Sequence, residues 1–229
     1  MKIRNLLVTL TVLFVLSLAS AGRAADITVT NSGNWSSTLP GAPWPDGIAP
    51  GTNDSVDVEA PFSITVDTNV TIGFIYGSGT VTMAPGCTLT VLGDSAGAYG
   101  LQQLDVFNAT AVSNTVVYMG NAFWAKRTNY YNLVFNNTSS NNYDFYNGPI
   151  PGSGAVPMDI GGDLTMTGKV KVQQGADFTI GGNLVIGTNS TWDCSSFQLM
   201  VASNAVVSGL LLDLDGALAG HLVDLGVAV

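Results

Sequence analysis

The chain has 229 residues, 10% of them charged, with 27 glycines, 7 bases against 16 acids, and a mean hydropathy of +0.33. These values exclude a charge-rich disordered tail and a coiled coil, both of which need many charges. With Lys2, Arg4 and Arg23 set apart in the targeting segment described next, four bases face 16 acids, a net charge of −12; a nucleic-acid groove is excluded, because neutralising phosphates takes clustered Lys and Arg.

Residues 1–24 read as a signal peptide. Lys2 and Arg4 make a positive start, Leu6 to Leu18 is an uncharged run, and small residues follow at Ala19-Ser20-Ala21 and Gly22-Arg23-Ala24. Either Ala21 or Ala24 supplies the small side chain that a signal peptidase requires, and cleavage is placed after Ala24. The run from Leu6 to Leu18 is too short to span the roughly 30 Å hydrocarbon core of a bilayer. The mature chain, about 205 residues, suits one all-β domain or a short repeat array. It is expected to be secreted or held at a cell surface, with no membrane span after the signal is removed.

Residues 25–60 are distinct in composition, with Trp35, Trp44 and prolines at 40, 43, 45 and 50. Asp54, Asp57 and Glu59 close the segment. Asp57 and Glu59 share a strand face and Asp54 and Asp57 do not. These acids are expected to be solvated at a strand exit rather than to act as the paired carboxylates of a glycosidase.

Internal repeats begin after residue 60. Gly79-Thr-Val-Thr-Met-Ala-Pro-Gly-Cys-Thr-Leu-Thr-Val-Leu-Gly93 aligns with Gly168-Lys-Val-Lys-Val-Gln-Gln-Gly-Ala-Asp-Phe-Thr-Ile-Gly-Gly182, glycine on glycine at the first, eighth and fifteenth positions. A shorter match sets Ile160-Gly-Gly-Asp-Leu-Thr-Met166 over Ile180-Gly-Gly-Asn-Leu-Val-Ile186. Within each unit, apolar residues alternate with Thr, Lys or Gln, the period of a half-buried strand, and Gly86 and Gly175 break the units as a chain turning a corner would require. No long helix is predicted. The shorter match has a period of about 20 residues, which marks a repeat array in which each unit buries its face against its neighbours. The predicted fold is all-β: a right-handed parallel β-helix over 61–229, of roughly eight turns, with residues 25–60 as an amino-terminal cap. An open end of such an array exposes core and strand edges, so Trp35 and Trp44 are assigned a structural role as its plug. The alternative is an antiparallel β-sandwich, which should show two-residue hairpin turns; Asn147-Gly148 is the one Asn-Gly pair in the sequence. Lys169 and Lys171 replace Thr80 and Thr82 in the alignment and are expected to be solvated on a sheet face.

One region breaks the repeat rhythm. Phe123, Trp124, Tyr130, Tyr131, Phe135, Tyr143, Phe145 and Tyr146 are interleaved with Asn129, Asn132, Asn136, Asn137, Asn141 and Asn142. Rings beside amides suit sugars, which offer apolar faces and hydroxyls together. Phe123, Phe135 and Phe145 are expected in the core, with the Asn residues turning corners. Trp124, Tyr143 and Tyr146 are the candidate ligand-binding residues, beside a loop excursion at about 138–157.

Little else suggests chemistry. His221 is the only histidine, in an apolar terminal stretch, so nucleophile–histidine systems have a single base available. A zinc site lacks ligands, and Asp213-Leu-Asp215-Gly216 holds only part of a calcium loop. No catalytic residue, metal or cofactor is assigned. Cys87 and Cys194 are expected as small packing residues with free thiols. The last stretch, Leu210 to Val229, stays apolar but contains Asp213, Asp215, His221 and Asp224, unlike a lipid-facing helix. Self-association, or continuation of the array, is expected at this end.

Gly33-Asn-Trp35, Trp44-Pro-Asp-Gly-Ile-Ala-Pro50 and Asp54-Ser-Val-Asp-Val58, together with Tyr130-Tyr-Asn-Leu-Val-Phe-Asn-Asn137 and the Ile-Gly-Gly-(Asp/Asn)-Leu units, resemble bacterial extracellular parallel β-helix surface proteins with a G8-like amino-terminal segment. In those proteins a Trp-rich loop leads through a Pro turn into a first Asp-x-Val-x-Val strand. The resemblance implies a non-catalytic structural or adhesive module, with an extracellular polysaccharide or a cell-surface component as partner. It keeps two further readings open: a carbohydrate-binding module, and a polysaccharide lyase or hydrolase of the β-helix type.

Overall fold

The computed structural model describes residues 24–93, 100–101, 103–119, 125–137, 143–146, 157–174, 176–195 and 197–212. Among these residues there are twenty strands and no helix, and every ladder is parallel. The antiparallel sandwich is thereby set aside. Parallel neighbours need a long crossover, not a two-residue hairpin, which is why hairpin turns are scarce in the sequence.

The longest sheet has seven strands, stacked in chain order: Val70–Ile72, Thr88–Val91, Thr115–Met119, Asn132–Asn137, Leu164–Gly168, Leu184–Ile186 and Ala205–Val207. Its register carries Val70 to Leu89, Val116, Leu133, Leu164, Leu184 and Ala205. The last two steps, Leu164 to Leu184 and Leu184 to Ala205, keep the expected spacing. Before them the spacing varies. The steps from Leu89 to Val116 and from Leu133 to Leu164 are longer, and the step from Val116 to Leu133 is shorter.

Period-two alternation sets which side chains enter the core. Leu89, Val91, Val116, Leu133, Leu164, Met166, Leu184 and Ile186 are all fully or almost fully buried. Each such side chain stabilises the fold by about 1.5–3 kcal/mol relative to exposure. The residues between them, such as Thr90, Val117, Thr165 and Val185, are half-exposed on the outer face. Two smaller sheets complete the later part: Tyr143–Tyr146, Val170–Gln173, Thr191–Asp193 and Leu210–Leu212 in one, and Met158–Ile160, Phe178–Ile180 and Leu199–Val201 in the other.

The two sequence matches differ in meaning. The short one is true register, since Ile160 pairs with Ile180, Leu164 with Leu184 and Met166 with Ile186. The long one is not. Val81 and Met83 lie in the six-stranded sheet, followed by Leu89 in the seven-stranded sheet, whereas Val170 and Val172 lie in the four-stranded sheet, followed by Phe178 in the three-stranded one. The two segments turn different corners. They match because any corner between two half-buried strands requires the same alternation and the same break. All four of Val81, Met83, Val170 and Val172 are buried.

The amino-terminal segment is continuous with the rest. Asp26–Thr28 pairs with Ser55–Asp57, which pairs with the start of Phe74–Met83; Gly33–Asn34 pairs with Ser63–Val66, which pairs with the end of that same strand. Phe74–Met83 serves both because it bends at Gly77, whose φ is +114°. A Cβ there would stand 2.4 Å from the Val58 carbonyl oxygen, so no other residue fits. Trp35 and Trp44 are each 2% exposed and share a core cluster with Val29, Val56 and Val66. Their rings meet edge to face at 5.0 Å, and the Trp44 Nε1–H donates to the Trp35 carbonyl at 2.8 Å.

Candidate functional site

The aromatic region expected to bind a ligand is held from inside. Tyr118 and Tyr130 are buried, and their hydroxyls form a closed ring of bonds with the main chain of Lys126. Lys126 N–H donates to the Tyr118 hydroxyl at 2.9 Å, which donates to the Tyr130 hydroxyl at 3.0 Å, which donates to the Lys126 carbonyl. Every polar atom of the ring is satisfied, the condition for burying hydroxyls at low cost. Burial pushes both phenols well above their usual range. Tyr118 also stacks on Phe135 at 5.9 Å, and Phe135 lies in the core as expected. Lys126 Nζ donates to the Leu104 carbonyl; its half-burial lowers its pKa, partly opposed by Asp105.

The described amides do not turn corners as expected: Asn132, Asn136 and Asn137 lie within the strand Asn132–Asn137, and Asn129 and Asn132 bond instead to the main chain of the next pass. Asn129 Oδ1 accepts from Asp159 N at 3.1 Å, and Asn132 Oδ1 accepts from Asp163 N at 2.9 Å. Of the candidate binding residues, Trp124 lies outside the described residues. Tyr143 and Tyr146 lie on the strand Tyr143–Tyr146, in register with Val170 and Gln173. The excursion expected at 138–157 is therefore not loop throughout: the aromatic β-formers of Tyr143–Tyr146 add a strand to the four-stranded sheet. The rest of that segment up to residue 156, Gly175, and Asp213, Asp215, His221 and Asp224 lie outside the described residues, as does the segment up to Arg23 expected to be a signal.

Sequence reasoning missed a polar ladder. Asn69, Thr88, Thr115, Asn132, Asp163, Asn183 and Asn204 each immediately precede the buried or partly buried residue, Val70 to Ala205, that the register carries along the seven-stranded sheet. Asn69 Oδ1 accepts from Thr88 N at 2.9 Å, and Asn132 Nδ2 reaches Thr115 Oγ1 at 3.4 Å. Asp163 Oδ1 accepts from Asn183 N at 2.7 Å and Nδ2 at 3.0 Å. Asn183 Oδ1 in turn accepts from Asn204 Nδ2 at 3.2 Å and Ser203 Oγ at 3.1 Å. The ladder explains the paired glycines. A Cβ at Gly162 would lie 2.3 Å from Asn132 Oδ1, and one at Gly182 would lie 2.3 Å from Asp163 Oδ1. The Gly-Gly-(Asp/Asn)-Leu spacing was the signal for it.

The carboxylates at the amino-terminal end do gather. Burial, with Glu59 and Asp26 close by, raises the Asp57 carboxyl above its usual range, and its buried Oδ1 has no hydrogen-bond partner. Glu59 Oε2 accepts from Ser78 Oγ at 2.5 Å, and both oxygens of Asp26 lie 2.9 Å from the Tyr76 hydroxyl. Asp54 is set apart: its two oxygens accept from Ala25 N at 2.9 Å and Gly51 N at 2.7 Å. Lys169 is exposed and Lys171 half-exposed on an outer face. Cys87 is half-buried and Cys194 buried, with no disulfide between them. No helix among the described residues is long and apolar enough to cross a membrane.

No family model, curated protein or solved structure matches this chain.

Proposed function

We propose that the protein is a secreted or cell-surface structural and adhesive module, built as a right-handed parallel β-helix with residues 25–60 as its amino-terminal cap. The observation that carries this reading is the use of the polar groups. Along the seven-stranded sheet the Asn and Asp side chains are committed to the main chain of the next pass, so they stiffen the stack instead of converging on a reacting centre. Parallel ladders stacked in chain order, with a regular step through the later passes, favour the β-helix, and its crossovers are right-handed by the general preference of parallel connections. Edge strands beside two buried tryptophans suit a cap. Resemblance to G8-like bacterial surface proteins and the export-type amino terminus favour display outside the cell.

A second reading, a carbohydrate-binding module, rests on Trp124, Tyr143 and Tyr146, rings set among amides in the sequence as a sugar site requires. Two or three stacked rings at about 1 kcal/mol each give only weak, roughly millimolar affinity. A glycan array and an affinity gel comparing the parent with Trp124→Ala/Tyr146→Ala test it: unchanged retention removes that site. The lyase or hydrolase reading is tested by incubation with a polysaccharide panel, where release of new reducing ends overturns the non-catalytic proposal.

A further inference from the structure

The outer face of the first sheet carries a second set of rings, separate from the 123–157 region. Phe74 and Tyr76 alternate along one strand with a single residue between them, so they share a face, and their rings stack at 5.3 Å with an interplanar angle of 26°. Both are half-exposed. The Tyr76 ring is fixed in place: its hydroxyl reaches past the strand Ser55–Asp57 to Asp26 on Asp26–Thr28, and burial together with that carboxylate pushes the phenol up to about 12. Two open clefts border the face. One, of about 260 Å³, is lined by Phe74, Ser55 and Asn53; the other, of about 410 Å³, is lined by Asp26, Thr28, Asp46 and Ile48.

The charges that act on the Tyr76 hydroxyl are all carboxylates, those of Asp26, Asp57 and Glu59, and the Lys126 ammonium on the strand side beyond Gly77 is held by the Leu104 carbonyl. A free anion, or a sugar bearing a carboxylate or sulfate, would be repelled. A small metal ion does not match either, since no three Asp, Glu, His or Cys side chains among the described residues converge as a metal shell does. The group that fits is larger and organic. The outward ring face of the stacked pair takes the apolar face of a pyranose, and the exposed carboxylates of Asp26 and Glu59 at its margin take N–H donors carrying positive charge.

We propose that this face binds an amino sugar, a pyranose bearing a free primary ammonium group, with the Phe74–Tyr76 pair stacking on the ring and the exposed carboxylates of Asp26 and Glu59 receiving the ammonium. The site is independent of the adhesive reading and of Trp124, Tyr143 and Tyr146.

Titration of the exported chain by calorimetry with a glucosamine hexamer, an N-acetylglucosamine hexamer and spermine tests it. The expected result is saturable binding of the glucosamine hexamer that weakens at least ten-fold on N-acetylation, and again as salt is raised from about 50 to about 500 mM, where screening is short-ranged. Spermine, which has the charge without the ring, should bind at least ten-fold more weakly. Phe74→Ala should abolish binding. Because that half-buried ring also packs, the exposed-side variants Asp26→Asn and Glu59→Gln, with melting temperatures checked, provide the second arm and should each weaken binding several-fold. The Trp124→Ala/Tyr146→Ala variant should bind like the parent. Equal affinity for the acetylated hexamer, equal affinity for spermine, indifference to Asp26→Asn combined with Glu59→Gln, or loss of binding in Trp124→Ala/Tyr146→Ala would each overturn the proposal.

Discussion

Gly182→Ala should be among the most damaging single-methyl additions this chain can suffer, although its backbone conformation does not require glycine. The built Cβ lies 2.3 Å from Asp163 Oδ1 and 2.7 Å from both the carbonyl carbon and oxygen of Gly162. The carboxylate can rotate away, but only by giving up its bonds to Asn183 N and Nδ2 at 2.7 and 3.0 Å, each worth about 1.5–3 kcal/mol where the acceptor is charged. The Gly162 main chain cannot rotate away, because Gly182 N is itself bonded to Gly162 O at 2.8 Å. Overpacking of this kind costs about 1–3 kcal/mol. If rotation costs one of the two bonds, the whole penalty is about 2.5–6 kcal/mol, or roughly 5–24 °C in melting temperature for a chain of this size. Gly86→Ala is the control. Gly86 has a φ of +74° and nothing within 4 Å of a built Cβ, so the substitution should cost only the left-handed strain, about 1–2 kcal/mol. Thermal unfolding followed by circular dichroism compares the two. If Gly182→Ala melts within about 2 °C of the parent, or above Gly86→Ala, close approach of successive passes is not what selects the paired glycines.

Three further outcomes follow from the same structure. Asp57 holds its proton more tightly folded than unfolded, so its contribution to stability is complete below the ordinary carboxylate pKa and is lost as pH rises through the raised value; Asp57→Asn should therefore melt higher than the parent at pH 7, with the gap closing near pH 4, and a gap that widens in acid would contradict the assignment. Tyr130→Phe leaves the buried Lys126 carbonyl and Tyr118 hydroxyl without their partners and should cost about 1–3 kcal/mol in urea unfolding; an unchanged midpoint would mean that the hydroxyl ring does not hold this segment. Trp44→Phe removes chiefly the Nε1 bond to Trp35 O and should cost about 1 kcal/mol, whereas Trp44→Ala should cost about 3–5 kcal/mol; equal losses would show that the hydrogen bond, not the ring, dominates there.

Much of the architecture was legible because it is written in local alternation. Leu89 and Val91, Val170 and Val172, and Leu164 and Met166 alternate with polar residues, and a strand buried on one face permits no other pattern. The Ile160 and Ile180 units gave a true register step, because there the connecting turns are short and alike. The aromatic region was less legible. Phe135 was placed in the core from sequence, but Tyr130 looks there like the other rings around it. What separates Tyr130 is register: it falls at an inward position beside Ile160, a property of its neighbours in the stack.

The sequence by itself determined the strand faces and the acidic charge balance, since these depend on residue type and on a period of two. Tertiary structure alone decided which strands are partners. It separated the true match of Ile160 with Ile180 from the equally persuasive match of Gly79–Gly93 with Gly168–Gly182, and it brought the Asp26 carboxylate to the Tyr76 hydroxyl. Pairing depends on the length of each connection and on what the next pass of the chain places opposite. The step from Leu133 to Leu164 is nearly twice the step from Val116 to Leu133, so no fixed spacing runs through the sequence from which that pairing could be read.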